Sequence, residues 1–171
     1  KSHSASEKTA AEEVAAYLKK ITDAEIPVKT DDEKKTDHEI VIGFTNRGGK
    51  GKKELGEEGF TIKTEGKRLF ILGSEVRGAL YGVYSFLEKC CGCRFYTDTC
   101  ERVPQMNMLT VPEIDCTELP GFEYRNVYWF AQGGEMISAK LKNNGGMGHE
   151  LTERVGGGIN YIGSFCHTFP D

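Results

Sequence analysis

The stretch GFTIKTEGKRLFILGSEVRGALYGVYSFLEKCCGCRFY (Gly59–Tyr96) decides the fold, because a strand pair runs straight into a helix. Phe60 and Ile62 alternate with Thr61 and Lys63, Glu65-Gly66 supplies a turn, and Leu69 to Leu72 return. That pattern predicts a β-hairpin. Beyond it Val76, Ala79, Leu80, Val83, Leu87, Cys90 and Cys91 recur at helical spacing and form one apolar stripe. Ser74 is the expected N-cap of this helix and Gly92 the expected stop.

The glycines of the stretch have two possible uses. Gly73-Ser74-Glu75-Val76-Arg77-Gly78 has the glycine spacing of a phosphate-binding loop, but Ala79-Leu80 stands where that loop needs Lys and Ser or Thr. The phosphate lysine and the magnesium hydroxyl are both missing, and no G-x-G-x-x-G follows a strand, so nucleotide binding is excluded. Gly78 and Gly82 lie one helical turn apart. Each costs about 0.8–1 kcal/mol against alanine in a helix interior. They fall opposite the apolar stripe or beside it, on the side of Glu75, Ser85 and Lys89. Either they are tolerated on an open face, or they admit a second body and the helix is covered on two sides.

Upstream, Ser4-Ala5-Ser6-Glu7 reads as a capping box ahead of Val14, Leu18 and Ile21, which predicts a helix over about residues 5–21. Ile26-Pro27-Val28 suggests a short strand, Thr30–Glu39 a solvated charged loop, and the apolar run Ile40–Phe44 a central strand. Asn46–Gly59 reads as a flexible Gly- and Lys-rich loop. Downstream, Asn107–Pro112 suggests a strand and Gly121–Trp129 a stronger, aromatic-rich one. From Ala131 to Asp171 the periodicity fades and glycine pairs recur. Two helices interspersed with strands that mostly lack crossover helices indicate an α+β layer on a mixed sheet, which a strand ahead of Lys1 could complete.

The 171 residues suggest one domain of about 100–150 residues plus something more. A hydrophobic content of 38% can build a core. The net charge of −4, from 22 basic and 26 acidic residues, points away from nucleic acid. No apolar run approaches the about 18 residues of a membrane span. No signal peptide is visible, and the sequence opens at Lys1 inside a polar run. The six cysteines are Cys90, Cys91, Cys93, Cys100, Cys116 and Cys166. Cys90-Cys91-Gly92-Cys93 lacks the paired C-x-x-C arrangement of a zinc ribbon. Buried thiols, a disulfide through Cys93 or Cys100, and a metal site all stay open, with a zinc site the least expected and Cys90 and Cys91 facing the sheet. Glu57-Glu58 and Glu12-Glu13 read as solvated charge rather than as an acid–base pair.

The helix AAEEVAAYLKKITDAEIPV, the strand EIVIGF, the hairpin, and RGALYGVYSFLE with GCRFY occur in an order that resembles the non-catalytic domain ahead of the (β/α)₈ barrel in α-glucuronidases of glycoside hydrolase family 67. A similar domain precedes the barrel in β-N-acetylhexosaminidases and in carbohydrate-active proteins of gut bacteria. The resemblance covers about residues 5–115. It implies an α+β fold with a mixed β-sheet and two helices packed on it, no active site of its own, and no metal or cofactor. FEYRNVYW resembles the first strand of a truncated (β/α)₈ barrel and NYIGSFCHTFP the loop region after it. The expected domains are therefore 1–118, accessory, and 119–171, the start of a catalytic-type barrel.

In this reading the partners are a downstream barrel of the same chain and a carbohydrate substrate, with no nucleic acid and no membrane span, in a periplasmic or extracellular setting. Barrel sites form at strand C-terminal ends. Only Tyr128, Trp129 and His167 could then reach substrate, Trp129 by stacking on a sugar ring. Other possibilities are a carbohydrate-binding module with Tyr81, Tyr84 and Tyr96 as its platform, or a standalone enzyme, for which no catalytic constellation is visible.

Overall fold

A computed structural model describes residues 3–48, 53–74, 76–146 and 149–159. The first helix, α1 (Ala5–Thr22), starts on the expected capping box. Ser4 Oγ accepts the Glu7 N–H at 3.1 Å, and the Ser4 N–H donates to Glu7 Oε2 at 3.0 Å. Strand β1 (Glu39–Ile42) follows a long connection, and β2 (Phe60–Glu65) and β3 (Arg68–Gly73) form the hairpin. Glu65 pairs with Arg68, so the two-residue turn is Gly66-Lys67, with Gly66 at φ 59°. Helix α2 (Gly78–Lys89) leads to a two-stranded ribbon, β4 (Arg94–Phe95) with β5 (Glu101–Arg102), and then to β6 (Asp115–Glu118). A short third helix, α3 (Glu135–Lys140), lies in the later segment.

The main sheet has the order β1-β3-β2-β6, with β1 parallel to β3 and the other pairs antiparallel. It is therefore the mixed sheet that the sequence predicts. Phe60, Ile62, Leu69 and Ile71 share one face with Ile40 and Ile42, and on that face they join α1 and α2 in a single core with Val14, Leu18, Leu80, Val83 and Leu87. Every residue of α2 from Gly78 to Leu87 is buried. A helix apolar and buried all round is a central element, and α2 is enclosed by the hairpin, α1 and α3.

Several expectations are corrected. The Ile40–Phe44 strand ends at Ile42 and lies at the sheet edge rather than its centre, because Gly43 at φ 70° turns the chain out. Ile26–Val28 forms no strand, and Ile26 and Val28 are half-exposed. The strand expected at Asn107–Pro112 is displaced to β6, where Cys116 and Glu118 face Ile62 and Phe60. Gly121–Trp129 has no strand partner and is irregular. Helix α2 starts at Gly78 rather than after Ser74, because Arg77 is drawn to Glu57 and Glu58. Ser74 still assists: its Oγ accepts the Gly78 N–H at 3.3 Å and donates to the Glu57 carbonyl.

The α2 glycines admit a close approach, but to the protein's own hairpin rather than a second body. A Cβ on Gly82 would meet Ile71 Cγ2 at 2.7 Å and Phe60 Cβ at 3.2 Å. A Cβ on Gly78 would run into the Gly59 carbonyl.

Candidate functional site

The chemistry of the chain concentrates where the turn before β2, the start of α2 and the segment 122–159 converge. Glu58, at the end of that turn, has a side chain only 8% exposed. Its Oε1 accepts Arg77 Nε at 2.9 Å and Asn144 Nδ2 at 2.8 Å, and its Oε2 accepts Arg125 Nη2 at 2.7 Å. Arg77 uses its remaining nitrogens on Glu57 Oε2 at 2.8 Å and the Gly156 carbonyl at 2.8 Å. Arg125 donates through Nε to the Lys142 carbonyl at 2.8 Å and through Nη1 to the Phe122 carbonyl at 2.5 Å. Asn144 closes the ring by accepting the Arg125 N–H at 2.8 Å.

Two carboxylates face two guanidiniums, so charge balances, and every functional edge of Glu58 is occupied. A buried ion set survives only when its lone pairs and donors are filled in this way. The cluster is a clamp, with no free base or acid. Tyr81 joins it from α2, donating its hydroxyl to the Asn143 carbonyl at 2.9 Å. Burial first, and the Glu58 charge second, raise the Tyr81 phenol well above its usual range.

This overturns the reading of Glu57-Glu58 as solvated charge. Glu57 is exposed yet ion-paired, while Glu58 is buried. Arg77, Arg125 and Asn144 escaped the sequence reading because they converge from three separate segments. The signal present was the pairing of charge with glycine, Glu57-Glu58-Gly59 and Arg77-Gly78, where close backbone approach buries the neighbouring charge. The Glu12-Glu13 pair divides likewise. Glu12 lies 3.7 Å from Lys8 on the surface, and Glu13 accepts the Tyr84 hydroxyl at 2.9 Å.

A second cluster ties α1, the ribbon and α3 together. Glu101 accepts from the Tyr17 hydroxyl, from Lys20 Nζ at 2.9 Å and from Lys140 Nζ at 3.0 Å. Lys140 also lies 5.2 Å from the Phe95 ring centre. Burial raises the Glu101 carboxyl, but the hydrogen bonds from Tyr17, Lys20 and Lys140 outweigh it and hold the group at about 2. Burial, then the bond to Glu101, drives the Tyr17 phenol upward.

Two of the three residues expected to meet carbohydrate, Tyr128 and Trp129, are described. Tyr128 and Trp129 are 67% and 54% exposed and lead into a 3-10 turn (Phe130–Gln132) whose Phe130 is also exposed. The turn sits beside Tyr96, since Gln132 Nε2 donates to the Tyr96 carbonyl at 2.7 Å and Asp98 N–H to the Ala131 carbonyl at 3.1 Å. His167 lies outside the described residues. Tyr81 and Tyr84 are buried core residues, so of the three tyrosines considered as a platform only Tyr96 is exposed.

The five described cysteines are free thiols. Cys91 and Cys93 are buried in the core, Cys90 is half-buried and Cys100 is exposed. Burial pushes the Cys91 thiol up to about 12 and the Cys93 thiol to about 11. Among the described residues no group of three or more His, Cys, Asp or Glu side chains is arranged to hold a metal, and no helix is long and apolar enough to cross a membrane.

Residues 1–86 match the family described as the glycosyl hydrolase family 67 N-terminus. The chain belongs to that family. No curated protein and no solved structure matches it. The matched part of this family 67 N-terminal domain holds α1, the hairpin and most of α2. It includes Glu57, Glu58 and Arg77 but stops short of Arg125 and Asn144.

Proposed function

We propose that this chain is a non-catalytic accessory domain of a larger, α-glucuronidase-like glycoside hydrolase acting on plant or host polysaccharide or glycan, and that it supports a catalytic barrel following in the same polypeptide. The observation that carries this reading is the Glu58–Arg77–Arg125–Asn144 clamp, which fastens the segment after the matched domain onto it through buried charge. A clamp of this kind transmits position rather than performing chemistry. Its carboxylates are spent on guanidiniums, whereas glycoside cleavage needs two carboxyls facing a sugar. In this reading residues 119–171 begin the barrel, Tyr128, Trp129 and His167 lie toward its carbohydrate, and the protein works in the periplasm or outside the cell.

The test is a comparison of the 171-residue chain with a longer polypeptide that adds the barrel. Aryl glucuronides and glucuronoxylan fragments are the substrates. The reading expects turnover only from the longer protein, and turnover by the chain alone that a single Asp or Glu substitution abolishes would overturn it.

A second reading, a carbohydrate-binding module, is favoured by the exposed run Tyr128-Trp129-Phe130 beside Tyr96. Affinity electrophoresis in glucuronoxylan separates the two. Retardation of the isolated chain that Trp129→Ala removes favours the module, and unretarded migration favours the accessory role.

A further inference from the structure

The clamp contains a chemically labile pair. Asn144-Gly145 is the only Asn-Gly sequence in the chain. Glycine leaves its backbone nitrogen unhindered and its dihedrals free, so that nitrogen can attack the preceding side-chain amide. In this reaction the Gly145 nitrogen loses its proton and bonds to Asn144 Cγ. Ammonia leaves with Nδ2, and a cyclic imide remains. Water then opens the ring at either carbonyl, giving aspartate or isoaspartate. The balance is one water consumed and one ammonia released, with no oxidant or cofactor.

The glycine is required by packing, since a Cβ at Gly145 would meet the Tyr124 ring at 2.5 Å. The fold therefore keeps the labile pair and restrains it. Asn144 is fully buried. Its Nδ2, the leaving group, donates to Glu58 Oε1 and to the Glu123 carbonyl, both at 2.8 Å. Its Oδ1 accepts the Arg125 N–H at 2.8 Å. The attacking nitrogen is engaged as well, because the Gly145 N–H donates to the Arg125 carbonyl at 3.0 Å. The Asn144 carbonyl accepts the Ile159 N–H at 2.7 Å, which fixes the backbone between the two groups. Cγ cannot turn toward the Gly145 nitrogen without breaking the bonds to Glu58, Glu123 and Arg125, so ring closure has to wait for the clamp to open.

The product does not fit back. Ionised aspartate accepts but does not donate, so both Nδ2 bonds are lost. A second carboxylate then stands where an N–H donor met Glu58, and like charges at that distance repel. Isoaspartate also lengthens the main chain by a methylene.

We propose that Asn144 is a deamidation site gated by the clamp. The closed clamp preserves the amide. Each opening exposes Asn144-Gly145 to a one-way conversion, after which the segment following the matched domain is fastened less tightly.

The test incubates the 171-residue chain at pH 8 in buffer, in urea below the unfolding transition and in urea above it. Tryptic mass mapping reads the change from amide to acid at Asn144, and enzymatic methylation of isoaspartate reads the second product. Conversion should be slowest in buffer and fastest in the unfolded chain. It should rise already below the transition, with a shallower urea dependence than global unfolding, as a local opening requires. Arg125→Ala, checked for folding by circular dichroism, should convert at least about tenfold faster than the wild type in buffer, equivalent to about 1.4 kcal/mol of easier opening. Should that variant not fold, the wild-type urea series decides alone. Conversion in buffer at the unfolded rate would mean that the clamp shields nothing. Conversion that tracks global unfolding only, or a folded Arg125→Ala no faster than the wild type, would mean that clamp opening does not gate the site. Asn144→Asp installs one product directly. It should speed amide exchange at residues 144 and 145 at least about tenfold and leave α1 unchanged, and equal protection at those two residues would overturn the one-way step.

Discussion

Glu58 and Arg125 are 67 residues apart in the chain and 2.7 Å apart in space, and the contact lies where the matched domain meets the segment that follows it. Arg77 holds the other oxygen of the same carboxylate at 2.9 Å. The two guanidiniums thus approach one buried anion from two parts of the chain.

Removing one partner of a buried ion pair typically costs about 3–5 kcal/mol, because the other charge is left without compensation. Arg125→Ala should fall near the lower end, about 3 kcal/mol, since Arg77 and Asn144 continue to satisfy Glu58. The Glu58→Ala and Arg125→Ala effects should not add. The double variant should lose at least about 1 kcal/mol less than the sum of the singles, as contacting residues do. Urea unfolding of the four proteins measures this, and simple additivity would mean the contact carries no coupling energy.

The glycines of α2 give a prediction of opposite sign to helix propensity. Glycine to alanine in an open helix gains about 1 kcal/mol. At Gly82 the added methyl meets Ile71 and Phe60, and at Gly78 it meets the Gly59 carbonyl. Overpacking costs about 1–3 kcal/mol. Gly78→Ala should be the worse of the two, because a backbone carbonyl yields less than a side chain. A higher denaturation midpoint for either variant would show that the hairpin gives way.

The parts of this fold legible in sequence are those governed by local rules. The capping box fixed the start of α1, and alternation at Phe60 and Ile62 fixed the hairpin. Strand β6 escaped because its sequence, Asp115-Cys116-Thr117-Glu118, has no apolar alternation; it is an edge strand whose inner contacts are Cys116 and Glu118. Gly121–Trp129 misled for the converse reason. Its aromatics suggest a strand, yet Phe122, Tyr128 and Trp129 are exposed, and the segment is held by the Arg125 side chain instead of a ladder. The clamp itself was illegible because each of its charges is unremarkable alone, and only tertiary convergence buries Glu58.

Stability should fall at both ends of the pH range, for different groups. The folded Glu101 carboxyl lies at about 2, below the about 4.3 of an unfolded glutamate. A depressed carboxyl stabilises fully above the unfolded value, and that contribution is lost as pH falls from about 4.3 toward 2. Tyr17, Tyr81 and Tyr84 have raised phenols, in each case chiefly through burial. Their contribution is complete below about 10 and disappears as pH rises past the unfolded phenol value. Glu101→Gln should flatten the acid limb and keep the part of the alkaline limb that burial of Tyr17, Tyr81 and Tyr84 supplies, losing only the share of the Tyr17 shift that comes from Glu101, as followed by urea midpoints from pH 2 to 11. An unchanged acid limb would mean that Lys20, Lys140 and Tyr17 gain nothing from this carboxylate.

Thiol reactivity should rank by burial rather than by position along the cluster. Alkylation needs a thiolate and a path to it. Cys100 is exposed on the turn of the β4–β5 ribbon and offers an open path. Cys91 and Cys93 are fully buried, with thiols at about 12 and about 11. At pH 8 those values leave roughly one thiolate in ten thousand and one in a thousand, before access is considered. Iodoacetamide at pH 8 should therefore label Cys100 first and the half-buried Cys90 and Cys116 more slowly, with Cys91 and Cys93 labelled only as the protein opens. Tryptic mass mapping over time reads the order. Cys93 is the informative site, because its N–H bonds the Leu87 carbonyl at 3.0 Å where Gly92, at φ 73°, ends α2. If Cys93 labels as fast as Cys100 while Cys91 stays protected, that helix end frays by itself. If both label early, the α2 end of the core does not hold. Labelling of both at the global unfolding rate, measured separately in urea, is the outcome this packing requires.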